Sequence, residues 1–116
     1  RFQHLVANLP GVIFRYVLRP DGSHYVAYIS PNAAQIWGVD KAAIEQDDQV
    51  LWGQVIPEDA AHLQHVLTQA AQTLSPWAVE CRVVNPDGHQ RWLQGIAQPT
   101  QLETGEIAWD GVTLDI

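Results

Sequence analysis

The chain has 116 residues, enough for one compact domain and too few to add a second catalytic one. Hydrophobic residues make up 47% of it and five residues are tryptophan, so a sizeable core is available and a disordered linker is excluded. Thirteen acids against six Lys and Arg leave a formal net charge of -7, which argues against a nucleic-acid backbone or an anionic membrane as partner.

Phe2, Leu5, Val6 and Leu9 recur at helical spacing before Pro10-Gly11, which predicts a short N-terminal flanking helix over residues 1–10. Val12 to Arg19 is rich in β-branched and aromatic residues. Pro20-Asp21-Gly22 turns it into a second strand from His24 to Ile29, so the chain opens on a β-hairpin. Ser30-Pro31 reads as a helix cap with proline in the first turn, and the brief helix closes at Gly38. Asp40 caps another short helix carrying Ala43 and Ile44. Val50 to Ile56 is apolar and too short to assign.

Pro57-Glu58-Asp59 opens the one long helix, running to about Thr73. At about 100° per residue, Leu63, Val66, Leu67 and Ala70 form one apolar stripe, with His62 on its shoulder and His65 nearly opposite. Trp77 to Val84 alternates as a strand. Pro86-Asp87-Gly88 turns into His89 to Gln98, and Glu103 to Glu106 turns into a last strand, Ile107 to Ile116.

Strands joined by tight turns are antiparallel, which excludes the repeated βαβ units of a dinucleotide-binding sheet. Helices gathered between two strand groups predict an α+β domain, a five-stranded sheet with short helices and one longer helix over one face. Phe14, Tyr16 and Leu18 point inward, and Ile13 and Val17 make the other face partly apolar, so that face needs a cover of its own.

Catalytic chemistry is scarce. There is no Gly-x-Ser-x-Gly elbow and no phosphate-cradling loop, and Lys41 is the sole lysine. The acidic run Glu45, Asp47 and Asp48 lacks the alternating ligands of a calcium loop. His62-x-x-His65 has no cysteine partner to complete a zinc site, so no metal is expected. Haem asks only for one axial imidazole above an apolar pocket, and by its helical angle His62 is the weak candidate for that role.

Cys81, the only cysteine, excludes an intramolecular disulfide and favours a reducing compartment; placed in a late strand, it reads as a buried, inert thiol. Glu80, Arg82 and Arg91 are expected to form a charge ladder across adjacent strands, locking register or meeting a neighbouring domain. Among the tryptophans, Trp37 and Trp52 are the weak candidates for lining an aromatic pocket between sheet and small helices.

Several segments, in this order and spacing, resemble one family. They are Asn8 to Tyr16, Tyr28-Ile29-Ser30-Pro31-Asn32 with Ile36-Trp37-Gly38, and Ile56-Pro57-Glu58-Asp59. They continue with Glu80-Cys81-Arg82-Val83, Pro86-Asp87-Gly88, Arg91-Trp92-Leu93 and the closing Gly111 to Ile116. Together they look like a PAS domain with PAC-like C-terminal strands, of the branch found in bacterial sensor histidine kinases and diguanylate cyclases.

The resemblance implies a sheet of order 2-1-5-4-3 with a ligand cavity under the helices. It implies one sensory domain over residues 1–116, with Asp115 and Ile116 leading to an output linker, and signalling through the opposite sheet face, frequently as a homodimer. The fragment is expected to be non-enzymatic and to sit in the cytoplasm, inside a parent protein that can be anchored in a membrane elsewhere. That parent is expected to be a histidine kinase, with a diguanylate cyclase as the alternative. Other readings are a ligand-free dimerisation and relay module, and a haem- or other cofactor-based redox or gas sensor. Covalent flavin is not expected, because Cys81 lies outside the helical Asn-Cys-Arg motif of the flavin-binding type; either no cofactor or a small-molecule ligand is.

Overall fold

The computed structural model describes residues 11–116, so the N-terminal flanking helix assigned to residues 1–10 lies outside the described residues. Strand β1 (Gly11–Leu18) and strand β2 (His24–Ile29) form the opening hairpin. Its Pro20-Asp21-Gly22 turn and the later Pro86-Asp87-Gly88 turn use the same chemistry. In each, the Asp Oδ1 accepts a backbone N–H two residues on at 2.9 Å, and the glycine takes φ 90°, where a side chain is strained.

The chain then makes a short 3-10 turn, Pro31–Ala33, and three small helices: α1 (Ala34–Trp37), α2 (Lys41–Gln46) and α3 (Gln49–Trp52). Asp40 Oδ1 caps α2 by accepting from Ala43 N at 2.9 Å, as its spacing predicts. Ser30 stands at the start of the 3-10 turn but makes no capping bond. Its Oγ accepts from Ile13 N at 3.0 Å, extending strand pairing one residue past the end of β2. The unassigned Val50 to Ile56 stretch resolves into the end of α3 and an isolated bridge, Val55 to Val83. A four-residue helix is too short to leave a periodic signal.

Helix α4 (Pro57–Thr73) is followed by β3 (Trp77–Val84), β4 (Gln90–Gln101) and β5 (Ile107–Asp115). All neighbours in the sheet are antiparallel, in the order β2-β1-β5-β4-β3. The first and last strands thus become central partners, with Val12 opposite Thr113.

One sheet face carries the core. Leu63 and Ala70 of α4 are buried against Tyr16, Trp77, Val79 and Trp109, with Val66 and Leu67 packed beside them, so the predicted stripe is the buried face. Ile36, Trp37, Ile44 and Leu51 of the small helices pack on Val12, Ile29, Val83 and Leu93. Each such side chain, fully buried, contributes roughly 1.5–3 kcal/mol.

On the opposite face, Ile13, Val112 and Ile96 stand side by side across β1, β5 and β4. Ile13 is 41% exposed, whereas Val17, expected to be exposed with it, is only 2% exposed beside the buried Ala108. Among the described residues no helix is long and apolar enough to cross a membrane.

Candidate functional site

Where β4 and β5 pair, the inner face of the sheet is built from small side chains. Gly95 and Ala97 on β4 lie beside Thr113 and Gly111 on β5. Larger residues rise around them: Phe14 and Tyr16 from β1, Trp77 from β3, Trp37 from α1 and Trp52 from α3. Small residues in the middle and aromatic rings at the sides leave a hollow, an apolar cavity of about 80 Å³.

The rings brace one another. Phe14 and Trp77 stack with centroids 6.4 Å apart, Tyr16 meets Trp52 edge-on at 5.5 Å, and Trp77 lies so close over Gly95 that a Cβ there would sit 3.0 Å from the ring.

Charge sits just outside this wall. Asp48 is buried, and its Oδ2 accepts from Trp52 Nε1 at 3.0 Å and from His24 Nδ1 at 2.6 Å. Burial, reinforced by Asp48, pushes the Tyr16 phenol well above its usual range, and burial with the nearby Asp59 pushes the Cys81 thiol up to about 11. Cys81, which lines the cavity, therefore stays a neutral thiol at physiological pH. A second, open groove of about 740 Å³ runs between α4 and the first hairpin, bordered by His24, Gln49, Gln64 and Thr68. Tyr16, Trp52, Val55 and Leu63 line both hollows and form the partition between them.

Trp37 and Trp52, named from sequence, both line the cavity. His62 does not: it is exposed and borders neither hollow, because the buried stripe of α4 is centred on Leu63. A cavity of about 80 Å³ is also well below the roughly 300–1,000 Å³ of sites for drug-sized ligands. The residues present do not fit a porphyrin.

The expected ladder of Glu80, Arg82 and Arg91 is not formed. Register sets Glu80 opposite Gln94, Arg82 opposite Trp92 and Arg91 opposite Val83, so Arg91 projects from the other face. Arg82 pairs with Asp59 at 2.8 Å and lies over the Trp92 ring at 5.0 Å, while Arg91 Nη1 donates to Asp115 Oδ2 at 2.7 Å.

Arg91 also joins a polar chain that sequence reasoning missed. Its Nε donates to Asn85 Oδ1 at 2.7 Å; Asn85 Nδ2 donates to Gln54 Oε1 and to Ile36 O, each at 2.9 Å. Gln54 Nε2 donates to the backbone oxygen of Trp37 at 2.8 Å. Hydrogen bonds thus run without a gap from a cavity-lining residue to Asp115 at the end of β5. Asn85, directly before a Pro-Asp-Gly turn, reads as a turn residue; only its 4% exposure marks it as a core polar group.

The family profile for the PAS fold matches residues 26–113. No curated protein matches the chain. Among solved structures, a domain of a histidine kinase assigned to light and redox sensing in Haloarcula marismortui superposes with a TM-score of 0.76 at 24% identity, over 100% of this chain and 97% of that one. The N-terminal domain of a diguanylate cyclase with PAS/PAC sensor from Marinobacter aquaeolei has a TM-score of 0.71 at 17% identity, over 90% and 94%. A sensory box histidine kinase/response regulator from Burkholderia thailandensis has 0.69 at 24%, over 100% and 84%. At these identities the likeness is one of fold.

Proposed function

The chain belongs to the PAS fold family, and from that premise we propose that it is a sensory input domain whose cavity takes a small molecule and whose closing strand carries the change to an attached output domain. The observation that carries this reading is the aromatic-walled cavity whose Trp37 is tied through Gln54, Asn85 and Arg91 to Asp115. A ligand touching Trp37 acts on α1, and α1 shares its carbonyls with the polar chain that holds the end of β5. Signalling requires only that the ligand bind one arrangement of that chain better than another; a tenfold preference is worth about 1.4 kcal/mol of population shift. The output domain is a histidine kinase in this reading, with a diguanylate cyclase as the alternative.

Calorimetry of the domain with its native C-terminal extension, against small neutral metabolites, tests the sensory reading, together with an absorption spectrum of freshly purified protein. Saturable heat that vanishes when Trp37 is changed supports it. Absence of heat and of any thermal shift across the panel removes it.

The outer sheet face supports a second role, pairing with another copy of the chain. Ile13 and Ile96, 41% and 38% exposed, flank Val112 in one apolar row. Sedimentation should show a dimer that Ile96→Lys disperses; a strict monomer with native flanking helices restored overturns this role.

A further inference from the structure

The contact between Asp48 and His24 fixes a tautomer. A carboxylate can only accept hydrogen bonds, so the 2.6 Å contact with Asp48 Oδ2 places the imidazole hydrogen on Nδ1. Trp52 Nε1 donates to the same oxygen at 3.0 Å and holds the carboxylate in turn. Neutral His24 therefore carries its lone pair on Nε2, at the opposite edge of the ring. Among the described residues Nδ1 is the only one of its two nitrogens with a hydrogen bond. Asp48 is buried and the His24 side chain is 37% exposed, so the accessible edge of the ring is the one that bears Nε2.

The hollow that His24 lines is the open groove of about 740 Å³, not the apolar cavity. That volume lies within the roughly 300–1,000 Å³ of small-molecule sites. Helix α4 lays one face along it from Ala60 through Gln64 and Thr68 to Gln72, about 18 Å of helix. Leu63, Leu67 and Trp109 supply apolar wall. Charge is nearly absent from this lining. Arg19 borders the groove, but its guanidinium lies over Tyr25 at 4.4 Å and beside Glu106 at 3.6 Å, neither of which lines it. Burial holds Tyr16 as a neutral phenol, and α4 and β5 bring no titratable side chain. Among the described residues no carboxylate borders the groove.

We propose that this groove is a second ligand site, independent of the cavity, for an uncharged and mostly apolar molecule whose hydroxyl or N–H donates to His24 Nε2. The rival occupant is a carboxylate paired with protonated His24. It is disfavoured because Asp48 already offsets that positive charge, in a chain whose net charge is -7.

2-Naphthol, 2-methoxynaphthalene and 2-naphthoate share one ring system and present a donor, no donor and an anion. Each is titrated into the ¹⁵N-labelled full chain at pH 7.5 and at pH 5, where an imidazole takes up a proton and Nε2 itself becomes a donor. Signals of Gln64 and Thr68 mark the groove. The affinity ratio of 2-naphthol to 2-methoxynaphthalene is expected to be about 5- to 10-fold higher at pH 7.5 than at pH 5, and His24→Phe should abolish that excess. Both comparisons cancel the ligands' different hydration. Should His24→Phe fail to fold, the wild-type pH comparison decides alone.

A ratio indifferent to pH overturns recognition by His24, as does one that His24→Phe leaves unchanged. Tighter binding of 2-naphthoate than of 2-naphthol overturns it in favour of an anion site. Unmoved Gln64 and Thr68 signals with every probe remove the groove as a ligand site and leave the reading of the cavity untouched.

Discussion

Asp59 grips Arg82 at three points: its Oδ2 accepts the Arg82 backbone N–H at 2.8 Å and Nε at 3.0 Å, and its Oδ1 accepts Nη2 at 2.8 Å. The carboxylate lies in the first turn of α4, where negative charge also suits the helix N-terminus, and it ties that turn to the edge strand β3.

This grip has a pH signature. The Arg82 side-chain hydrogen bonds, then its backbone N–H, hold the Asp59 carboxyl below its ordinary 3.8. Folding thus favours the carboxylate, and the stabilisation is complete above about pH 5 and lost as pH falls through the lowered folded-state value. Asp59→Asn is expected to lower Tm at pH 7, with the gap to wild type narrowing as pH falls below the ordinary carboxyl value of 3.8. Thermal melts from acid to neutral pH read this directly, and a gap of constant size would contradict it.

Asn85 is the joint of the polar chain. Asn85→Leu keeps the heavy-atom branching but leaves Arg91 Nε, Gln54 Oε1 and Ile36 O without their Asn85 partner, while Arg91 Nη1 keeps Asp115. With about 1–3 kcal/mol for each buried group left unpaired, and Arg91 and Gln54 partly reached by water, the expected loss is about 2–4 kcal/mol. Urea unfolding measures it; a variant within about 0.5 kcal/mol of wild type would show that the chain holds nothing together.

Gly111 marks the tightest backbone approach in the sheet. A Cβ there would stand 2.0 Å from Ile96 O and 2.8 Å from Ala97 Cα, atoms of a paired strand that cannot rotate away. Gly111→Ala is expected to cost at least about 3 kcal/mol, the upper end of overpacking, and to lower the yield of folded protein. Gly22→Ala meets no atom within 4 Å and is strained only by its φ of 90°, so it should cost about 1 kcal/mol. Equal denaturant midpoints for the two variants would refute this ranking.

His24 shields the buried Asp48. His24→Phe removes the 2.6 Å hydrogen bond and leaves Trp52 Nε1 as the carboxylate's remaining side-chain donor, an expected loss of about 1–3 kcal/mol. His24→Gln, which keeps a donor, should recover part of it, and a Trp52 emission shift should accompany the first change more than the second.

Much of the fold was legible because its signals are local. Both Pro-Asp-Gly turns, the Asp40 cap and the stripe from Leu63 to Ala70 act within a few residues of chain, and each appears as read. Phe14 and Tyr16 were placed on the inner face by alternation alone, and they now form part of the cavity wall. Helix α3 escaped notice because a single turn has no period, and β4 continues to Gln101 because β5 stays alongside to pair with it.

What escaped sequence reasoning was long-range. The partners of Arg82 and Arg91 lie 23 and 24 residues away, and whether a side chain reaches them depends on register, which no count along one strand contains. His62 has the right spacing for the cavity and the wrong rotation of its helix. Local steric and hydrogen-bonding rules determined where strands and helices begin, turn and stop. Only the meeting of β5 with β1 and β4 beneath the helices decided that small residues on β4 and β5 leave a hollow among aromatic walls, and that Trp37 and Trp77 bury indole nitrogens with no hydrogen-bond partner among the described residues.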